Sequence, residues 1–130
     1  MKKCVVCIGS NYNRKESLAF ARRKLMELFS PVCFSVEQET LPVNIKNRSL
    51  FSNQVAVFFS ELKEEEVKVE LKKIEEAAGR SFENNKKGII VLDIDLLLFH
   101  HRILKPEDMK REYILKGIEE IMNSETYRML

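Results

Sequence analysis

The chain has 130 residues, 45% of them apolar and 32% charged, with four Gly and three Pro. That balance fits one soluble globular domain with a modest core and excludes a disordered or fibrous chain. Twenty-two basic and 20 acidic residues leave a net charge of +2, which favours neither nucleic acid nor any other charged partner. No apolar stretch approaches the length that spans a bilayer, and MKK is followed by only five apolar residues before Gly9, too few for a signal-peptide core. A cytoplasmic protein without membrane attachment is the expectation.

In chain order, a strand is predicted over about residues 3–9, ending at the turn-forming cluster Gly9-Ser10-Asn11. Cys4 and Cys7 have CxxC spacing, but strand residues three apart face opposite ways. These two and Cys33 therefore read as small apolar residues in a reducing compartment. A helix is predicted over about 14–29, with Leu18, Ala21, Leu25 and Leu28 at helical spacing, stopping before Pro31. Val32, Phe34 and Val36 then alternate with Cys33, Ser35 and Glu37, the pattern of an outer strand with one wetter face. The segment from Thr40 to Ser52 has no clean period and reads as a long loop of the kind that carries function.

A strand follows over 53 to about 60, and then a charged helix over 64–78 whose apolar stripe is Val67, Leu71, Ile74 and Ala78, with Gly79 as its C-cap. A second loop, from Arg80 to Gly88, leads into a strand over 88–99. A last helix, beginning near Glu107 or Asp108, is expected to bury Ile114, Leu115, Ile118 and Ile121. The order βαββαβα is that of an α+β fold with a ferredoxin-like βαββαβ core and an extra C-terminal helix. Helices on one face of the sheet would leave the other face and its loops for ligands.

Residues 91–99 read VLDIDLLLF, which sets two carboxylates inside an otherwise buried strand. Ionised carboxylates are costly to desolvate and repel one another, so the arrangement needs compensation. Asp93 and Asp95 stand at i and i+2, on one face and roughly 6.5–7 Å apart along the strand. Such a pair can hold one divalent ion, or share two with phosphate oxygens. Arg80, Lys86 and Lys87 precede the strand, and Arg102, Lys105, Lys110 and Arg111 follow it, which suits a polyphosphate bridged by metal. The plainer reading is a solvated strand end with a charged rim.

No GxxxxGK[ST] or GxGxxG stretch is present, so any nucleotide would be held by side chains and metal. His100 and His101 would point opposite ways, and at most one could join a given site. Phe58 and Phe59 read as core rather than as a stacking platform, so nucleic acid is not an expected partner.

Five stretches, taken in order, resemble one family over nearly the whole chain. They are CIGSN at 7–11, the 40–53 loop, IEEAAGR at 74–80, LDIDLLLF at 92–99 and DMKREYIL at 108–115. Together they resemble 6-hydroxymethyl-7,8-dihydropterin pyrophosphokinase. The resemblance implies a single ferredoxin-like domain over 1–130 that transfers diphosphate from ATP to the pterin's hydroxymethyl group, releasing AMP, in folate biosynthesis. It implies that Asp93 and Asp95 ligate two Mg²⁺ ions and act with Arg80 in catalysis.

By the same resemblance, Thr40, Phe51, Asn53 and Tyr113 are pterin contacts, and Glu75, Arg80 and Arg111 are nucleotide contacts. Lys86 and Lys87 would supply charge in a loop where the family carries Trp, Pro and two arginines and this chain reads NKKGII. A monomer or weak homodimer with ATP and pterin as small-molecule partners is expected. Two alternatives stay open: a degenerate member that binds pterin or nucleotide without transfer, and an interaction module with no small ligand.

Overall fold

The computed structural model describes residues 1–42 and 49–129. The middle of the long loop expected after Thr40, residues 43–48, lies outside the described residues. Strand β1 (Lys2–Ser10) is the centre of one antiparallel sheet. It pairs along its whole length with β4 (Phe51–Ser60) and, on its other side, with β5 (Asp93–Phe99). Strands β2 (Val32–Phe34) and β3 (Gln38–Thr40) both pair with β4, and the short β6 (Arg102–Ile103) pairs with the end of β5, giving the order β2-β4-β1-β5-β6.

Helices α1 (Arg14–Phe29) and α2 (Glu64–Ala77) cover one face. Leu18, Ala21, Leu25 and Phe29 join Val67, Leu71 and Ile74 over Cys4, Val6, Ile8 and Phe58. Phe29 stacks on Phe58 with ring centroids 4.2 Å apart. Leu28, counted in the predicted stripe, is exposed. The expectation of a free second face is corrected by α5 (Glu112–Met122), which sets Ile114 and Ile121 on Val5, Val55, Val57 and Leu97. Because both faces are covered there, Cys33 and Ser35 are buried, whereas Val36 is exposed. The face of Cys33 and Ser35 is therefore the drier one, while Val32 and Phe34 are half-buried against the core under α1 and α2 and Glu37, like Val36, is exposed.

The last predicted helix is in fact three: α4 (Pro106–Met109), α5 and α6 (Glu125–Arg128). Its buried residues are also corrected, since Leu115 is 52% exposed and Ile118 only half-buried, while Gly117 is buried against β4. The Arg80–Gly88 loop contains a short helix, α3 (Phe82–Lys86), capped by the Ser81 hydroxyl, which accepts the Asn84 N–H at 3.1 Å.

The strand expected over 88–99 begins only at Asp93. Ahead of it the chain is fastened sideways by Asn11, whose Nδ2 donates to the Gly88 carbonyl and whose Oδ1 accepts the Ile90 N–H, both at 2.7 Å. The Gly-Ser-Asn cluster thus holds the approach to β5 as well as turning the chain. No helix among the described residues is long and apolar enough to cross a membrane.

Candidate functional site

The sheet register sets Asn53, Gly9 and Asp93 in one row across β4, β1 and β5. With strands about 4.8 Å apart, that row spans about 10 Å and carries its only hydrogen side chain in the middle. A Cβ on Gly9 would come within 3.1 Å of Asn53 Oδ1, so glycine keeps the space between the carboxamide and the carboxylate clear. An open cavity of about 220 Å³ stands over this row, walled by Thr40, Leu41, Phe51, Asn53, Asp93, Asp95, Asp108, Arg111 and Tyr113. Asn53 Nδ2 donates to Thr40 Oγ1 at 2.6 Å, which fixes the carboxamide and leaves its Oδ1 as an acceptor. Burial above all pushes the Tyr113 hydroxyl up to about 12, so it stays a neutral donor.

The same two carboxylates line a second, larger cavity of about 570 Å³ with Lys72, Glu75, Arg80, Phe82 and Asn85. They reach both spaces because β6 pairs only with Leu98 and Phe99, which leaves the outer edge of β5 open from Asp93 to Leu96. Glu75 serves that edge: its Oε2 accepts the Ile94 N–H at 2.7 Å. Gly79, at φ 103°, turns the chain out of α2 so that Arg80 reaches Asp93 Oδ1 at 2.7 Å and Glu75 Oε2 at 3.3 Å.

The compensation that the carboxylate pair requires is supplied by Arg80 on Asp93 and by Lys105, whose Nζ lies 2.8 Å from Asp95 Oδ1. Lys105 stood among the flanking basic residues of the sequence, yet nothing in its spacing separated it from the others. Arg102 pairs with Glu64, Lys110 with Glu107, and Arg111 with Asp108 at 3.2 Å. Arg111, expected at the nucleotide, lines the smaller cavity with Thr40 and Tyr113. Lys86 sits over the Phe82 ring, 4.6 Å from its centroid, and neither it nor Lys87 lines the larger cavity.

Cys4 and Cys7 fall on opposite faces, as strand alternation requires. Cys7 forms part of the smaller cavity's wall, where burial first, and then Asp95 and Asp93, push its thiol far above the ordinary range. His100 and His101 stand in the turn after β5 rather than in the strand, so they do not point opposite ways: their rings lie 4.0 Å apart, tilted by 40°, outside both cavities.

Burial and the adjacent Asp93 raise the Asp95 carboxyl to about 6, partly offset by Lys105. A raised carboxylate value means that the folded chain holds this proton more tightly than the unfolded chain. Asp95 therefore costs stability as pH climbs from about 4 to 6, and the full cost is present at pH 7. Two pKa units correspond to about 3 kcal/mol. With the side chain 31% exposed, screening reduces this to about 1 kcal/mol. Asp95→Asn is expected to stabilise the metal-free chain by that amount at pH 7 and by about half as much at pH 5. Urea unfolding in the presence of a chelator measures it, and a variant less stable at pH 7 would refute the assignment.

In this α+β domain one pair of carboxylates lines two cavities, so two ligands could be held against the same charges. Residues 5–123 match the family model described as 7,8-dihydro-6-hydroxymethylpterin-pyrophosphokinase (HPPK), and the chain belongs to that family. The family's activity is pyrophosphoryl transfer in folate biosynthesis. A search of curated proteins returned no match.

Proposed function

We propose that this chain transfers the β,γ-diphosphate of ATP to the hydroxymethyl oxygen of 6-hydroxymethyl-7,8-dihydropterin, releasing AMP, with Mg²⁺ held by Asp93 and Asp95. The observation that carries this reading is that one carboxylate pair lines both cavities, so ligands in the two spaces would meet there. The donor set fits the ion, because Mg²⁺ takes one or two carboxylates and completes its octahedron with water and phosphate oxygens. Bound there, Mg²⁺ neutralises charge on the phosphoryl oxygens.

The pterin would lie in the smaller cavity. Phe51 and Tyr113 offer aromatic surface to its flat ring, and the Asn53 carboxamide, steadied by Thr40, offers an acceptor to its edge. The triphosphate would lie on the Arg80 side, with Arg80 and Lys72 as cations along it. The hydroxymethyl oxygen forms its bond to the β-phosphorus as the bond from that phosphorus to the bridging α-phosphate oxygen breaks, so AMP leaves toward the larger cavity. The strand order β2-β4-β1-β5, with α1 and α2 on one face, supports the ferredoxin-like reading of the core. The proposal takes the chain as a single cytoplasmic domain, a monomer or weak homodimer.

AMP release from ATP with Mg²⁺ and the hydroxymethylpterin tests the reaction. Asn53→Ala is expected to weaken pterin binding at least about tenfold in calorimetry, the loss of one buried hydrogen bond. Unchanged affinity would remove this residue from the site. A second reading, binding without transfer, is favoured by α3, which turns Lys86 onto Phe82 and leaves the larger cavity without the two lysines. Pterin binding with no AMP released would select it.

A further inference from the structure

The backbone on both sides of Lys105 is fixed, and its half-exposed side chain turns toward Asp95. The Leu104 N–H donates to the Leu97 carbonyl at 2.8 Å, and Leu104 packs against the core. The Lys105 carbonyl in turn accepts the Met109 N–H at 3.0 Å, and Pro106 starts α4 directly after it. The backbone on both sides is therefore pinned, and the ammonium is delivered to Asp95 Oδ1 at 2.8 Å.

Arg80 is placed differently. It touches Asp93 at 2.7 Å, but a second carboxylate, Glu75, stands 3.3 Å away, so Arg80 can rest on Glu75 when an incoming ion takes Asp93. A divalent ion on Asp95 Oδ1 would instead contest that atom with the Lys105 ammonium. It would also approach a like charge at short range in a partly desolvated cleft.

Resting on the reading of Asp93 and Asp95 as metal ligands, we propose that Lys105 is a built-in cation that stands in for one of the two Mg²⁺ ions the family resemblance implies. The carboxylate pair then holds a single divalent ion, on the Asp93 side, and Lys105 supplies the remaining positive charge beside Asp95. Lysine can do this as a compact point charge, although it cannot bridge two ligands as a metal does.

Mn²⁺ binding, read from the loss of the free-ion paramagnetic resonance signal, tests the count with saturating α,β-methylene-ATP as the nucleotide. The wild-type complex is expected to take one ion, Lys105→Arg one, and Lys105→Met and Lys105→Gln two each. Two ions in the wild type, or one in both neutral variants, would overturn the role of Lys105. The underlying metal reading is checked separately with Asp93→Asn, which should weaken the single ion at least about tenfold relative to the wild-type complex. If Asp93→Asn matched wild type, the carboxylates would not be ligands, and the inference about Lys105 would fall with them.

Discussion

Asp93→Ala should lower Mg²⁺-dependent AMP release by at least about a thousandfold while leaving the chain folded. Metal clamping of a transferring phosphoryl group stabilises the transition state by several kcal/mol, and about 4 kcal/mol corresponds to three orders of magnitude in rate. The fold should survive for reasons visible around the residue. Asp93 is the first residue of β5, on the open edge, and its side chain is solvent-accessible rather than part of either apolar cluster. Arg80 loses one partner but keeps Glu75 at 3.3 Å, so no buried charge is left alone. Asp93→Asn, which keeps the shape and removes the charge, should fall nearly as far. Turnover measured alongside thermal unfolding separates the two effects. Activity within tenfold of wild type in a folded Asp93→Ala chain would refute the metal role of this carboxylate.

The parts of this arrangement that were legible in the sequence are those set by local periodicity. The alternation of β1, the stripes of α1 and α2, and the shared face of Asp93 and Asp95 follow from spacings of two or of three to four residues. What spacing does not carry is which of several equivalent residues is brought close by the rest of the chain. Of the four basic residues singled out after β5, two are spent locally, Lys110 on Glu107 and Arg111 on Asp108, and that could have been read from opposite charges three apart in a helical turn. Lys105 reaches Asp95 only because β6 folds back along the end of β5.

The stretch before β5 shows the converse. Val91 and Leu92 are buried and look like strand residues, yet the segment from Gly88 is held by the Asn11 side chain, a tertiary contact that outweighs propensity. The row beneath the smaller cavity was half legible: the Gly-Ser-Asn turn stood out by itself, and Asn53 was reached through the family resemblance alone. That Gly9 lies between Asn53 and Asp93 depends on pairing between strands more than 40 residues apart in the chain.

Helix α5 departs from its sequence reading for a related reason, and its correction leads to an expected result that is read in stability. Counting apolar residues selects Leu115 and Ile118, but the closest approach between α5 and β4 is made where there is no side chain. A Cβ on Gly117 would stand 2.6 Å from Val55 Cγ2, 2.9 Å from Val55 Cβ and 3.3 Å from Ser35 Oγ, well inside the about 3.5–4.0 Å of a normal carbon contact. Val55 is β-branched and stiff, so the helix must move rather than the valine. Alanine gains about 1 kcal/mol of helix propensity over glycine, against an overpacking cost of about 1–3 kcal/mol. Gly117→Ala is therefore expected to destabilise the chain by about 1 kcal/mol and Gly117→Val by about 2–3 kcal/mol. Because α5 also carries Tyr113 and Ile114 into the wall of the smaller cavity, the shift should weaken pterin binding even in the folded Gly117→Ala chain. Val55→Ala removes Cγ2 but keeps the Cβ at 2.9 Å, so in the double variant the two changes should offset one another in part, with a coupling energy of about 0.5–1 kcal/mol in denaturant unfolding. If Gly117→Ala proved as stable as wild type, or if the two changes were additive, close packing at this glycine would not be what seats α5 on the sheet.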